Sequence, residues 1–414
     1  MSKCFAVFLL VALSSGCGDS RPPAIDLAAD LRGDVGVHDA SPDRAVADAR
    51  PPDASCGDAG CPSPPAGPLW FLQISDLHFG GASVDARLAR VLSELLPTIN
   101  PAATFNTGDT VEEGGNTPWK PYVDLVTGKT PAYPGYLEIP GNHDLKNNGI
   151  GNYLANTVTG KAGGGIYGDA VVTTSRGPVR IIRTNTSDGG TNAINVLGSF
   201  GDKQRDALLA LAPPPTPPLY TVVLGHHPIA GAFGLQVLGT DGNMKKVIDG
   251  TGGLLYLCGH VHSTHLSFHK KTLVVQASSL GKSDPPSLML LALDAGSPSA
   301  REVVVSGGSV PSVSWPIVLI TAPADAKLGG TNPHAAPLSA ASAFEVRALA
   351  FAPGAVTAVE ARLDMGAWQP LASAGGPLHE GTIQPSKGGK LGLEVRATTK
   401  EGSASHAVTV EVGP

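Results

Sequence analysis

Leu257-Cys258-Gly259-His260-Val261-His262 closes an apolar run, 254–257, that reads as a buried strand. One residue separates the two histidines. Side chains two apart on a strand share a side, so His260 and His262 can reach one site beyond a strand end, or two neighbouring ions if the chain turns there. Four further segments repeat the arrangement, each a short apolar run followed by reactive side chains. They are Ser75-Asp76-Leu77-His78, Gly108-Asp109, Gly141-Asn142-His143-Asp144 and Gly225-His226-His227-Pro228. Open α/β folds assemble their sites where strand ends and loops converge. Aspartate and histidine offer oxygen and nitrogen donors suited to Mn, Fe, Zn or Co, whereas a calcium site is built from oxygens. Each piece alone is weak: an Asp-x-His is commonly a polar turn, and Gly141 and Gly259 read equally as turn glycines. All five in one chain point to a single metal centre that the remaining residues present.

The chain has 414 residues, enough for two or three domains, and its 42% hydrophobic content is that of a globular protein. Gly (52) and Pro (36) are abundant, so loops should be many. A net charge of −6 argues against a nucleic-acid surface, which favours a basic stripe, and no nucleic-acid partner is expected. Met1 to Gly16 has the form of a secretion signal: Lys3, then an apolar run over 5–13 too short to span a bilayer. Small residues directly before Cys17 resemble the lipobox of bacterial lipoproteins, in which the cysteine becomes the lipid-modified N-terminus. Ser14 stands where that pattern usually has an aliphatic residue, and ordinary secretion is the alternative. Gly18 rather than Asp after the cysteine favours the outer membrane. The expectation is an exported envelope lipoprotein anchored in a lipid membrane through Cys17.

Residues 17–67 are rich in Asp, Ala and Pro without apolar periodicity, a composition that cannot offset its ordering entropy and reads as a disordered tether. Cys56 and Cys61 can close a small disulfide there or stay as two thiols; Cys258 reads as a small buried hydrophobe. From residue 68 to 305 strands and helices alternate. Strands are expected over 69–74, 102–106, 136–139, 179–183, 220–224, 254–257, 273–276 and 288–293. Helices are expected over 84–95, with Ser83 as N-cap, and over 204–211, stopped by the prolines at 213–215. A Gly/Ser/Pro stretch, 306–314, reads as a linker. Residues 315–414 hold only strand-like runs, over 317–320, 344–351, 356–363, 391–397 and 406–412. They suggest an immunoglobulin- or fibronectin-like sandwich without an inter-sheet disulfide.

The series Asp76-x-His78, Gly108-Asp109, Gly141-Asn142-His143-Asp144, His226-x-Pro228 and Gly259-His260-x-His262 resembles, in number and order, the calcineurin-like metallophosphoesterases. The resemblance covers about 68–305 and implies a four-layer α/β/β/α sandwich with a dinuclear centre at the sheet edge. It implies one divalent ion on Asp76, His78, Asp109 and His262, and a second on Asp109, Asn142, His226 and His260, with Asp109 bridging. His143 would ligate no metal and would face the substrate as leaving-group acid or transition-state stabiliser. Glu112 occupies a position where some members carry an acidic partner for that histidine. Asp144 is left as a supporting or structural residue, and His227 matches no ligand position: it either lines the substrate pocket or packs.

The reaction so implied is hydrolysis of a phosphoester by hydroxide held between two cations, on a small organophosphate or phosphodiester. A metallophosphoesterase domain followed by a sandwich also resembles a eukaryotic transmembrane family, here with a lipid anchor in place of the later membrane helices. Two other readings stay open. One is an extracytoplasmic nuclease, against which the lack of basic charge counts. The other is a non-catalytic surface-binding lipoprotein with a structural metal site, for which the tail speaks. The partner of the tail is not identified by its residues.

Overall fold

Apolar runs of four to six residues, each ending in a polar turn, form the parallel strands on which the site is built. The computed structural model describes residues 67–80, 84–127, 135–187, 198–214, 216–229, 241–306 and 312–413. The leader, Cys17, the tether up to residue 66 with Cys56 and Cys61, Ser83, Pro215, and 307–311 of the expected linker lie outside them. All described residues fall within one compact unit, Pro62–Pro414.

The first twelve strands are β1 (Leu69–Ile74), β2 (Ala103–Asn106), β3 (Tyr136–Glu138), β4 (Gly168–Thr174), β5 (Gly177–Arg183), β6 (Tyr220–Leu224), β7 (Gly253–Cys258), β8 (His265–His269), β9 (Thr272–Gln276), β10 (Ser287–Asp294), β11 (Ser297–Ser306) and β12 (Ser312–Val313). They build two six-stranded sheets, ordered β12-β11-β10-β1-β2-β3 and β4-β5-β6-β7-β9-β8. β1, β2 and β3 run parallel, as do β5, β6, β7 and β9.

Alternation along the strands sorts the layers. Leu72 and Ile74 of β1 and Leu288 and Leu290 of β10 pack under the helical segment 84–99 with Leu88, Leu92 and Leu95. Their neighbours Phe71, Met289 and Leu291 face the second sheet, where they meet Val222, Leu224, Leu255 and Leu257. On its far side that sheet presents Val223, Tyr256 and Cys258 to Leu208, Met244, Val247 and Ile248 of the helices Asp202–Leu209 and Asp241–Thr251. The result is helix, sheet, sheet, helix, as expected. Cys258 is a free, fully buried thiol.

Three local differences from the expected elements stand out. The helix expected over 84–95 passes into a π-helical turn, Val91–Leu95, before Leu96–Ile99, and the Leu96 N–H reaches the Val91 carbonyl. Pro97, one residue on, has no N–H to give, and the wider turn absorbs that loss. β4 and β8 carry no continuous apolar run; they are half-buried edge strands held by their ladders to β5 and β9. Ser312–Val313, inside the stretch read as linker, pairs with Val305 and Ser306 of β11.

The C-terminal strands are β13 (Ile317–Ala322), β14 (Phe344–Phe351), β15 (Ala358–Leu363), β16 (Gln369–Pro370), β17 (Ala372–Gly375), β18 (Leu378–Ile383), β19 (Gly389–Thr399) and β20 (Gly402–Val412). They form two four-stranded antiparallel sheets, β13-β14-β18-β17 and β16-β15-β19-β20, around a core that includes Val346, Ala348, Val359, Leu393 and Val410. This all-β unit sits against the first sheet. Ile317, Leu319, Leu349 and Phe351 share a continuous core with Val303, Val305 and Val313. Beside that seam Arg347 grips the buried Asp294 through two nitrogens at 2.9 and 3.1 Å, and the Thr321 hydroxyl donates to the same carboxylate at 2.8 Å. The Trp315 indole donates to Glu94 at 2.9 Å.

Candidate metal centre

Every expected site residue among the described residues follows the C-terminal end of a parallel strand. Asp76 and His78 follow β1, Asp109 follows β2, and Asn142 and His143 follow β3. His226 follows β6, and His260 and His262 follow β7. Because β1–β3 belong to one sheet and β6 and β7 to the other, the two edges face each other across the site.

The backbone is forced there. Asp76 (φ 53°), His78 (51°), Asp109 (53°), His260 (73°) and His262 (57°) are all left-handed, a conformation few non-glycine residues adopt. Strain of this kind persists where surrounding structure over-determines it, and it clusters at functional sites. Gly141 and Gly259 serve close approach rather than turning. Gly141 has an ordinary φ of −97°, but a Cβ on it would stand 2.1 Å from Asp109 Oδ1. A Cβ on Gly259 would meet Ser75 Oγ at 1.9 Å and Asp76 Oδ2 at 2.2 Å.

The side chains converge. His262 Nε2 lies 3.2 Å from Asp76 Oδ1 and 3.1 Å from His78 Nε2. His78 Nε2 stands 3.8 Å from Asp109 Oδ2, and His226 Nε2 stands 3.2 Å from the same oxygen. Asp76, Asp109 and His226 form one group whose ligand atoms all lie within 4.8 Å of one another; Asp76, His78 and His262 form a second. The His260 N–H donates to Asp76 Oδ2 at 3.0 Å. Asn142 is buried, and its Oδ1 has no hydrogen-bond partner.

These donors suit a divalent cation. His226 Nδ1 lies 2.8 Å from the Thr107 carbonyl, which can only accept, so Nδ1 carries a proton and Nε2 is the nitrogen turned toward Asp109, able to ligate once an ion takes the place of its proton. Burial alone would depress His226, yet Asp109 and Asp76 hold it up to about 9. The carboxylates therefore demand a positive charge at that place, which a bound ion would supply. Burial opposes ionisation of Asp109 too, but His226, His143 and His78 hold it well below the usual carboxylate range. His78 and His260 are each pushed down to about 4, chiefly by burial, and are neutral donors at physiological pH.

The surrounding residues divide by contact. Glu112 reaches toward two imidazoles: its Oε2 lies 3.1 Å from His78 Nδ1, its Oε1 3.7 Å from His143 Nδ1. The nearer oxygen at His143 Nδ1 is the Glu112 backbone carbonyl, at 2.6 Å, so that ring nitrogen donates and Nε2 is left for chemistry. The His143 N–H donates to Asp109 Oδ1 at 2.8 Å. Asp144 is structural. It accepts from Val111 N and Gly141 N, both at 3.0 Å, and so ties the Asp109 loop to the Asn142 turn. Burial and the Asp109 charge raise its carboxyl to about 7. His227 is fully buried, lies against His260 with ring centroids 4.3 Å apart, meets Thr186 Oγ1 at 2.8 Å, and with His226 and His260 forms a further group whose ring nitrogens lie within 4.8 Å of one another.

Three participants escaped the sequence reading. Thr186, after β5, accepts the N–H groups of both His226 and His227 at 3.1 Å. The loop after β9 ties itself to two candidate ligands, with Ser279 Oγ donating to the Asp76 carbonyl at 2.7 Å and Ser283 Oγ to that of His262 at 2.8 Å. Lys146 Nζ stands 3.0 Å from His143 Nδ1. The available signal was position: all three follow parallel strands, Lys146 in the same segment as His143, but threonine, serine and lysine do not stand out there as metal-ligand types do.

Residues 69–264 match the family described as calcineurin-like phosphoesterase. No curated protein matches the chain. Solved structures similar to it include GAP50, the anchor in the inner membrane complex of Plasmodium, at 14% identity over 60% of this chain and 88% of that one (TM-score 0.40). Phosphopantetheinyl hydrolase of Mycobacterium tuberculosis is 15% identical over 50% and 89% of the two chains (TM-score 0.34). Vacuolar Protein Sorting 29 of Cryptosporidium parvum is 14% identical over 60% and 96% (TM-score 0.31).

Proposed function

We propose, for a chain that belongs over residues 69–264 to the calcineurin-like phosphoesterases, that it hydrolyses small phosphoesters at a two-metal centre formed by the ends of its two sheets. The observation that carries this is the convergence of Asp76, Asp109 and His226 within ligand distance of one another, from strands of both sheets. Asp76, His78, Asp109 and His262 would hold one divalent ion, and Asp109, Asn142, His226 and His260 the other. When bound, the ions supply an activated water and offset charge on the phosphoryl oxygens.

The remaining steps belong to the chain. Thr107 orients His226 through its Nδ1, which keeps Nε2 turned inward, and the Glu112 carboxylate stands 3.1 Å from His78 Nδ1. The Glu112 carbonyl holds the His143 Nδ1 proton and leaves Nε2 to meet the leaving-group oxygen, where a proton must be delivered as the ester bond breaks. Asp109 fixes that ring by accepting the His143 N–H.

Export and anchoring through Cys17 are part of the same proposal. Their support is the leader sequence and its small residues before the cysteine. Among the described residues no helix is long and apolar enough to cross a membrane. We read the C-terminal unit as immunoglobulin-like, because its strand orders correspond to the ABED and C′CFG sheets of that sandwich.

The test is hydrolysis of a chromogenic phosphodiester and phosphomonoester by the Mn²⁺-loaded protein, beside its Asp109→Asn variant. Turnover should fall by about a thousandfold or more in the variant, together with bound metal. Equal turnover in both proteins would sink the reading.

A further inference from the structure

We propose that Lys146 and Lys282 form a two-lysine clamp on the His143 side of the centre, which takes the doubly charged phosphate of a monoester in preference to the singly charged phosphate of a diester. The proposal rests on the phosphoester-hydrolase reading and names its substrate class.

Lys282 is held in place by its loop. Arg87 Nη1 donates to the carbonyls of Leu280 and Gly281 at 3.0 and 2.7 Å. The Gly281 N–H donates to the Asp76 carbonyl at 3.1 Å, and the Lys282 N–H to Ser279 Oγ at 2.7 Å. A Cβ on Gly281 would stand 2.0 Å from the Leu77 carbonyl oxygen, so the loop lies tight on the strand end that carries Asp76 and His78. From there the ammonium reaches Glu112 Oε2 at 2.7 Å, and that carboxylate lies 3.1 Å from His78. The side chain is 36% exposed, and an ammonium has three N–H groups, so one carboxylate oxygen leaves donors for an incoming anion.

Lys146 comes from the other direction. It follows directly on the helical turn Asn142–Leu145, and its Nζ lies 3.0 and 3.4 Å from the two ring nitrogens of His143. Both ammonium groups therefore lie beside the Glu112–His143 pair, Lys146 against the imidazole and Lys282 against the carboxylate. The stretches after β5 and β6 in the chain, 188–197 and 230–240, contain neither lysine nor arginine. Glu112, which Lys282 reaches at 2.7 Å, already faces His78 and His143.

The chemistry selects the monoester. Its phosphate has three terminal oxygens and nearly two negative charges at neutral pH, because its second ionisation lies near about 6. A diester has two such oxygens and one charge. Lysine serves phosphate as a compact point charge, so its contribution grows with the charge it meets.

The experiment uses the full chain loaded with Mn²⁺, with metal content measured for every protein. Binding of inorganic phosphate and of dimethyl phosphate is followed by calorimetry for wild type, Lys146→Gln, Lys282→Gln and the double variant. The ratio of kcat/KM for p-nitrophenyl phosphate over bis-p-nitrophenyl phosphate is measured alongside. Phosphate affinity should fall by roughly tenfold in the double variant, dimethyl phosphate affinity by less than about twofold, and the monoester ratio should fall with the former. Equal losses for both anions, or none, overturn the clamp. If Lys282→Gln sheds metal by loosening Glu112 and His78, Lys146→Gln decides, since that side chain touches no proposed ligand. A metal-loaded wild type that cleaves neither ester overturns the hydrolase reading itself. A wild type that cleaves both, with lysine variants unchanged, overturns only the clamp.

Discussion

The strand-end loops of the two large sheets and the C-terminal sandwich are made by the same chain under opposite rules. Among the described residues ten non-glycine residues before 312 have positive φ, five of them proposed ligands; in the sandwich only Asp364 does. The loops pack glycine against carboxylate at distances that admit no Cβ, whereas Gly354 of the sandwich has open space around it. Strain and tight approach are concentrated where polar atoms must be held without water. The sandwich is regular β structure whose one demanding region is the seam where Arg347 meets Asp294. The contrast locates function without reference to any ligand.

The largest expected effect tests the strained side. Gly141→Ala pushes a methyl onto Asp109 and should lower turnover by about a hundredfold and stability by roughly 2–3 kcal/mol, read by kinetics and denaturant melts. Gly354→Ala, its counterpart in the sandwich, should change stability by less than about 0.5 kcal/mol. Similar losses in both would erase the comparison.

The seam comes next. Arg347→Ala leaves the Asp294 carboxylate buried without its main partner and should cost about 3 kcal/mol. If the sandwich and the catalytic layers melt together, the variant should show one shifted transition. Two separated transitions would mean that the units are energetically independent. Adding Asp294→Asn should recover part of the loss, because it removes the stranded charge.

The smallest effect is the pH response of the same seam. The Ile320 N–H donates to His406 Nδ1 at 3.1 Å, and burial, helped by Arg301, pushes His406 down to about 4. The unfolded chain binds this proton near 6.5, the folded chain only near 4. Between those values the unfolded state holds more protons, so this contribution is complete above about 6.5 and fades as pH falls toward about 4. His406→Asn, which can still accept from Ile320, should flatten that part of the melting profile; an unchanged slope would remove His406 from the account.

Much of this was legible from residues alone. β1, β6 and β14 begin and end where their apolar patterns do, because a buried face needs apolar residues: nearly continuous in β1 and β6, broken only by Gln73 and Thr221, and alternating with Glu345 and Arg347 at the start of β14. β4 and β8 were not legible, since edge strands are defined by ladder hydrogen bonds that composition does not record. Thr186 and Lys282 were hidden for a related reason. Threonine and lysine are common on any surface, and only the parallel strand before them marks the place.

The five motif segments, from Asp76 to His262, determined by themselves which donors are present and that each follows a strand. Periodicity and donor chemistry are local properties, and a linear chain carries them in full. Tertiary structure decided the rest: which two sheet edges face each other, that His227 lies buried against His260 while Glu112 turns toward His78, and that the sandwich shares a core with β11 and β12. Those outcomes depend on contacts between residues tens to hundreds of positions apart. Their energies arise only when burial removes the water that would otherwise satisfy each group alone.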